Sequence, residues 1–166
     1  MQQSVFRTLC LAVLVTLLTA TVSQAADSII GVWKVAEVVT TGANAGTNAN
    51  PQPGLLFVTK SHYSISRVQS ATPRPKFAPA ANPAALTDAE KVARYEQWAP
   101  FQSNAGTYEI KGTTFTTRPI LAKNQDIMGN PTVMEMKLEG DALWLITKSP
   151  AGAPPSETRV KWVRAE

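Results

Sequence analysis

The sequence predicts an all-β protein, an eight-stranded antiparallel up-and-down barrel with one α-helix inserted between strands 3 and 4. β-Branched and aromatic residues recur in eight short segments that are separated by turn-forming residues. Most of these segments follow one another at hairpin spacing, which favours pairing between neighbours. Closure of such a sheet removes both exposed edges. A two-sheet sandwich is the alternative, but only the connection before strand 4 is long enough to cross between sheets.

The N-terminal residues 1–25 are predicted to be a secretory signal peptide. Arg7 is followed by an apolar run at residues 8–18, and small residues, Ser23 and Ala25, occupy the positions that signal peptidase reads. The run is shorter than the roughly 20 residues needed to span a bilayer. We therefore expect a secreted protein, most simply bacterial and periplasmic, with residues 26–166 as one barrel domain and no stable membrane insertion after cleavage.

Composition narrows the classes of function. The chain has 166 residues with a formal net charge of +4, which fits a single domain. Basic and acidic residues alternate along it, so no stripe for nucleic-acid binding is indicated. The only cysteine, Cys10, lies in the predicted leader. Disulfides, thiolate metal sites and cysteine nucleophiles are therefore not expected in the domain.

The first half of the domain is predicted to contain three strands. Residues 29–40 are rich in β-branched side chains and form a long first strand. Residues 42–53 have no apolar period and are expected to be a flexible loop. Residues 55–60 and 63–68 form a hairpin around the polar pair at 61–62.

A single helix is predicted after the proline-rich and irregular residues 69–86. Thr87 and Glu90 have the spacing of a capping box, and apolar residues then recur at helical spacing until Pro100. We expect this helix, residues 87–99, to close one end of the barrel or to pack on its outside.

The second half of the domain contains the other five strands, which are predicted at residues 106–110, 113–120, 132–139, 142–148 and 157–164. Two-residue turns at 111–112 and 140–141 join the first four of these strands as hairpins. A proline-rich loop at 149–156 leads into the last strand.

One end of the barrel is expected to be closed. In a closed antiparallel sheet the start of the first strand lies beside the end of the last, which places Trp33 and Arg164 together. A guanidinium over an indole contributes roughly 0.5–2 kcal/mol. Gly31, Trp33, Trp162 and Arg164 are therefore predicted to form a structural closed-end motif, and not an active site.

Three short motifs occur in order along the domain: Gly31-Val32-Trp33, Gly106-Thr107-Tyr108 and Trp162-Val163-Arg164. Together with the helix from Thr87 they resemble the bacterial and fungal lipocalin-like domain family. The resemblance covers essentially residues 26–166 and implies a barrel that can hold a small molecule. The chain departs from the family at residues 115–117, where many relatives carry a histidine-rich strand, and it lacks the cysteine pairs of animal lipocalins. No metal or acid/base role is therefore carried over.

The interior of an eight-stranded barrel either is filled by side chains or holds one small ligand. The period-2 pattern of the strands predicts these inward, candidate ligand-binding residues: Phe57, Tyr63, Ile65, Arg67, Tyr108, Phe115, Met134 and Met136. Glu109, Glu135 and Lys137 are expected outside. Two roles are open for Arg67, which either anchors a ligand carboxylate or pairs with a structural acid at the rim.

Function is predicted as non-covalent binding of a small hydrophobic or amphipathic molecule, by a monomer without cofactor or metal. A barrel enzyme of isomerase, cyclase or hydratase type is one alternative, and a protein-binding or inhibitor module that presents the loops 42–53 and 69–86 is another. No catalytic residue is assigned. His62, the only histidine, is expected to be an exposed turn residue without a serine or aspartate partner.

These hypotheses differ in what the barrel should contain. A binder requires a cavity of about 300 Å³ or more. An enzyme requires in addition two titratable groups that converge in that cavity. A solid core with a flat, exposed apolar patch would favour a protein-binding module.

Overall fold

The computed structural model describes residues 28–166, so the predicted signal peptide lies outside the described residues. The strands are β1 (Gly31–Thr40), β2 (Gly46–Asn48), β3 (Gly54–Val58), β4 (His62–Val68), β5 (Phe101–Lys111), β6 (Thr114–Ala122), β7 (Thr132–Glu139), β8 (Ala142–Lys148) and β9 (Glu157–Arg164). One α-helix, α1 (Asp88–Trp98), lies between β4 and β5, and three short 3-10 turns lie at 42–44, 83–85 and 125–127.

The strands close into a barrel. From β3 to β9 each strand pairs antiparallel with the next, β3 pairs with β1, and β1 pairs with β9. The closing ladder runs from Trp33↔Arg164 to Thr40↔Thr158. The predicted eight-stranded up-and-down barrel with a helix between its third and fourth strands is therefore confirmed.

Several segments differ from the prediction, among them the β3–β4 turn, which lies at residues 59–61 instead of 61–62. The expected flexible loop at 42–53 contains the short strand β2, which pairs with Val38–Thr40 of β1. β5 begins at Phe101 instead of Gly106. The β5–β6 turn consists of Gly112 and Thr113, because Gly112 has φ +60° and stands first in the turn, as a type II′ hairpin requires.

The core fills the end of the barrel where β1 begins and β9 ends. Its largest fully buried side chains are Trp33, Trp162, Phe115, Ile29, Leu56 and Leu143. The charged residues that were expected outside are exposed in surface ion pairs, such as Glu109 with Lys111 and Glu135 with Lys148. Exposed pairs of this kind contribute about 1 kcal/mol or less, so the barrel is stabilised mainly by its packed end.

Helix α1 begins with the predicted capping box of Thr87 and Glu90. Its apolar side chains pack little against the barrel, since Tyr95 is 71% and Trp98 53% exposed, and the contact made is the edge of the Trp98 ring on Phe101 at the start of β5, 5.5 Å between ring centroids. The helix is held by polar contacts to backbone carbonyls, such as Arg94 Nη2 to Ala78 O at 2.9 Å. It is therefore an external element of the long β4–β5 connection. Within residues 28–166 no helix combines the length and apolar character that crossing a bilayer demands.

Candidate functional site

The closed end is sealed by a stacked pair. The guanidinium carbon of Arg164 lies 4.2 Å from the centroid of the Trp33 ring, and Trp33 is fully buried. Arg164 donates from Nη1 to Ile30 O at 2.9 Å and from Nη2 to Ser28 O at 2.6 Å. Trp33 Nε1 donates to Ile29 O at 2.9 Å. The terminal nitrogens of Arg164 thus bind the backbone that covers this end.

Gly31 makes room for the stacked pair. Its φ is +144°, a conformation that side chains rarely adopt, and a Cβ there would lie 2.6 Å from Arg164 Nη1 and 2.7 Å from Glu166 O. These close contacts explain why the first position of the Gly-x-Trp motif is a glycine.

A cavity of about 380 Å³ lies inside the barrel above this end and opens between the ends of the strands. Its volume falls in the lower part of the range found for small-molecule sites. Of the predicted ligand-binding residues, five line it: Tyr63, Ile65, Arg67, Phe115 and Met134. Trp162, predicted as part of the closed-end motif, forms part of its floor and is 1% exposed.

The inward orientation predicted for Phe57 is wrong. In the β3–β4 ladder Leu56 is opposite Ile65 and Phe57 is opposite Ser64. Because Leu56 and Ile65 line the cavity and side chains alternate along a strand, Phe57 and Ser64 point outward. Phe57 is accordingly 44% exposed.

Tyr108 and Met136 face the interior without lining the cavity. The Tyr108 ring lies 5.2 Å from the ring of Phe115, and its hydroxyl donates to Thr59 O at 2.7 Å in the β3–β4 turn. Met136 is buried in the core. Both residues support the cavity from the closed end.

Sequence reasoning missed the polar part of the wall, which consists of Gln69, Gln102, Asn104, Thr117, Thr132, Thr147 and Thr158. The signal was present, since Thr117 stands two residues after Phe115 and Thr132 two residues before Met134. The same alternation that predicts the apolar lining therefore also predicts these threonines. The missed apolar lining residues are Leu56, Ile127 and Leu145.

Tyr63 and Asn104 form a buried polar pair in the wall. The Tyr63 hydroxyl donates to Asn104 Oδ1 at 2.6 Å. Burial raises the pKa of the Tyr63 phenol, and a hydrogen bond with Thr117 opposes that rise. The phenol is therefore neutral and hydrogen-bonded near neutral pH.

Arg67 lies at the mouth of the cavity. Its Nε donates to Gln102 Oε1 at 2.7 Å, and Gln69 Nε2 donates to the same oxygen at 3.2 Å. Burial lowers the pKa of the Arg67 guanidinium from its usual value. Among residues 28–166 no carboxylate forms an ion pair with it.

A second cavity, also about 380 Å³, lies between the loop that carries β2 and the ends of β1 and β4. It shares Arg67, Gln69 and Thr158 with the barrel cavity. Arg67 therefore stands where the two spaces meet.

His62 is exposed, as expected, but it is the first residue of β4 and not a turn residue. Its Nδ1 lies 2.9 Å from Ser61 Oγ, so the expectation that it has no serine partner is wrong. This pair lies where the β3–β4 turn meets β4 and does not line the cavity. Within the described part of the chain, no three histidine or acidic side chains are grouped as a metal site would need.

No model of a known protein family matches the chain, and no curated protein does. Two solved structures are similar in fold. A lipocalin-like protein from Bacteroides uniformis aligns with 82% of this chain and 97% of its own at 12% identity and a TM-score of 0.44. An uncharacterised protein from Bacteroides eggerthii aligns with 81% of this chain and 98% of its own at 7% identity and a TM-score of 0.42. The fold of this chain is established by its own strand pairing, which is that of a closed antiparallel up-and-down barrel.

Proposed function

We propose that this protein is secreted through the signal peptide at residues 1–25 and binds a small hydrophobic or amphipathic molecule in its barrel as a monomer. One observation supports this most: the 380 Å³ cavity has an apolar floor and an opening toward solvent. Its apolar lining includes Phe115, Met134 and Leu145. Transfer of ligand surface from water to such a wall contributes about 25 cal/mol per Å², less the cost of ordering the ligand.

The enzyme hypothesis has less support from the geometry. It requires two titratable groups that converge, and the titratable groups of the lining are Tyr63 and Arg67. These residues stand four positions apart on one strand, which separates their backbones by about 13 Å. The tyrosine is already hydrogen-bonded to Asn104.

The binding proposal is tested by filling the cavity. Met134→Trp adds a large side chain inside the barrel, whereas Val133→Trp adds the same side chain at a position that is 60% exposed on the same strand. The probe is the neutral fluorophore N-phenyl-1-naphthylamine, whose emission rises in apolar surroundings. Overfilling of a packed site costs about 1–3 kcal/mol, so Met134→Trp should weaken binding by about 5- to 140-fold.

The control should change the dissociation constant by about twofold at most, as exposed substitutions do. Equal binding of the probe by the wild type and by Met134→Trp would contradict the proposal. Far-ultraviolet circular dichroism checks that both variants keep the barrel. Native mass spectrometry of the protein isolated from its own cells then identifies the class of any molecule that it retains.

A further inference from the structure

The cation at the mouth of the barrel has donors that the protein does not use. A guanidinium carries five N–H donors. In Arg67 the Nε donor is bonded to Gln102 Oε1 at 2.7 Å. The terminal nitrogens Nη1 and Nη2 of Arg67 make no hydrogen bond to any residue in 28–166.

The cation is also unbalanced in charge. No aspartate or glutamate lines the barrel cavity or the cavity beside it. The acids of β5, β7 and β9 pair with lysine or arginine on the barrel surface, as Glu135 does with Lys148 at 3.1 Å. A partly buried charge without a partner raises the free energy of the fold, so this position favours an anion that enters with a ligand.

The wall holds the Arg67 side chain in place. Gly54 is directly opposite Arg67 in the β3–β4 ladder, and a Cβ at Gly54 would lie 2.5 Å from Arg67 Cβ. On the other side Gln102 is directly opposite Arg67 in the β4–β5 ladder and accepts from its Nε. The stem is therefore enclosed between two neighbours, and the bond at Nε restricts the plane of the guanidinium.

We propose, as a refinement of the binding function above on which it rests, that the ligand is an amphiphile with a carboxylate, which the terminal nitrogens of Arg67 bind at the mouth while its apolar part occupies the barrel. The planar fork of a guanidinium matches the two oxygens of a carboxylate. Arg67 is the only cationic residue among the described residues that line either cavity, and it balances one negative charge. A carboxylate carries that one charge, whereas a phosphate monoester carries about −1.5 to −2 and would be left partly unbalanced.

The apolar part of the ligand has a defined depth to fill. Thr158 lies at the mouth and Trp162 at the floor, four residues apart on β9. At about 3.3 Å per residue this gives a depth of about 13 Å. Between these levels the apolar side chains include Ile65, Met134 and Val160, and the polar Asn104 opposite Ile65 is bonded to Tyr63. A medium-length alkyl chain is therefore a suitable probe.

The test compares decanoate with decan-1-ol, which share the chain and differ in the charged group. Isothermal titration at pH 7 is carried out on the wild type and on Arg67→Met, which keeps an unbranched apolar stem and removes the guanidinium with its charge. A hydrogen bond to a charged group predicts that the wild type prefers decanoate and that Arg67→Met weakens decanoate binding by about 10- to 100-fold. Binding of decan-1-ol should change by about twofold or less.

Arg118→Met is the matched control, because Arg118 is exposed on the outside of β6 and the change in net charge is the same. This variant should keep the preference for decanoate. Arg67→Lys, which keeps the charge without the planar fork, should restore only part of it.

The outcomes separate the two proposals. If the wild type binds both compounds equally, or if Arg67→Met keeps the preference, the carboxylate inference is wrong and the barrel remains a binder of neutral apolar molecules. If neither compound binds, the carboxylate inference is wrong, and the binding proposal fails with it only if N-phenyl-1-naphthylamine does not bind in the cavity either. Thermal unfolding of each variant shows that the comparison is made on folded protein.

Discussion

Two arginines lie inside this barrel, one at each end, and the structure uses them differently. At the closed end Arg164 covers Trp33 and donates from both terminal nitrogens to backbone carbonyls of Ile30 and Ser28. At the mouth Arg67 uses only Nε, on a glutamine. The first arginine is a structural part of the seal. The second is held in position with its terminal donors unused by the described residues, which is the state expected of a group that meets a ligand.

The side chains near the two arginines also differ between the closed end and the mouth. Along β9 the inward residues run from Trp162 and Val160 near the closed end to Thr158 at the mouth. On β6 the wall changes in the same direction from Phe115 to Thr117. The closed end is therefore packed and apolar, whereas the mouth offers hydroxyl and amide groups. This graded wall suits a molecule with an apolar end and a polar end.

The largest effect is expected at the seal. Trp33→Ala removes a fully buried indole together with its hydrogen bond to Ile29 O. Large-to-small substitutions of this kind cost about 3–5 kcal/mol. Urea unfolding monitored by circular dichroism measures the loss. A loss below about 1 kcal/mol would remove the argument that this end is closed by packing, and with it the contrast between the two ends.

The seal is also the part of the molecule that the sequence predicts best. Chain order alone places Trp33 next to Arg164 once the barrel closes, because the first and last strands must then pair. The orientation of Phe57 depends instead on the register of a single hairpin. A shift of one residue in that register moves a side chain to the opposite face, and the sequence does not fix the turn at 59–61 closely enough to decide it.

The polar wall was missed for a different reason. Gln102 and Asn104 lie in the first half of β5, where polar residues gave no apolar alternation to detect. They are inside because Asn104 is bonded to Tyr63 and Gln102 to Arg67, and both partners stand on the neighbouring strand. Such contacts satisfy buried polar groups. They join residues on two different strands, so the sequence pattern of one strand cannot predict them before β4 and β5 are paired. The apolar face of α1, in contrast, predicts packing that the fold leaves unused.

The next effect in size compares the two arginines directly. Arg164→Met removes the cation over Trp33 and leaves two carbonyls without their donor, which should cost about 2–3 kcal/mol of unfolding free energy. Arg67→Met loses one hydrogen bond but also removes a charge that burial penalises without an opposite charge to offset it. We expect its unfolding free energy to lie within about 1 kcal/mol of the wild type.

Equilibrium unfolding in urea without added ligand measures both variants under the same conditions. Equal losses would show that Arg67 is as much a structural residue as Arg164, and the division between seal and mouth would not hold. The Arg118→Met variant gives the baseline for loss of one exposed positive charge.

The smallest effect concerns the boundary between the two ends, where Tyr63 donates to Asn104. Because burial raises the pKa of Tyr63 above its ordinary value of 10.0, the folded chain keeps this proton at a pH where the unfolded chain has lost it. The contribution of the neutral phenol to the unfolding free energy is therefore complete below about pH 10. As the pH rises further the unfolding free energy falls, with a slope of at most about 1.4 kcal/mol per pH unit.

Tyr63→Phe should make the alkaline decline in unfolding free energy shallower, whereas Tyr95→Phe, which changes an exposed tyrosine of α1, should leave the decline as it is in the wild type. Urea unfolding at several pH values between about 8 and 11 gives the three slopes. Identical slopes in all three proteins would mean that water reaches the Tyr63 hydroxyl freely. The polar surface of the mouth would then extend below Asn104, and less of the cavity would be available to the apolar part of a ligand.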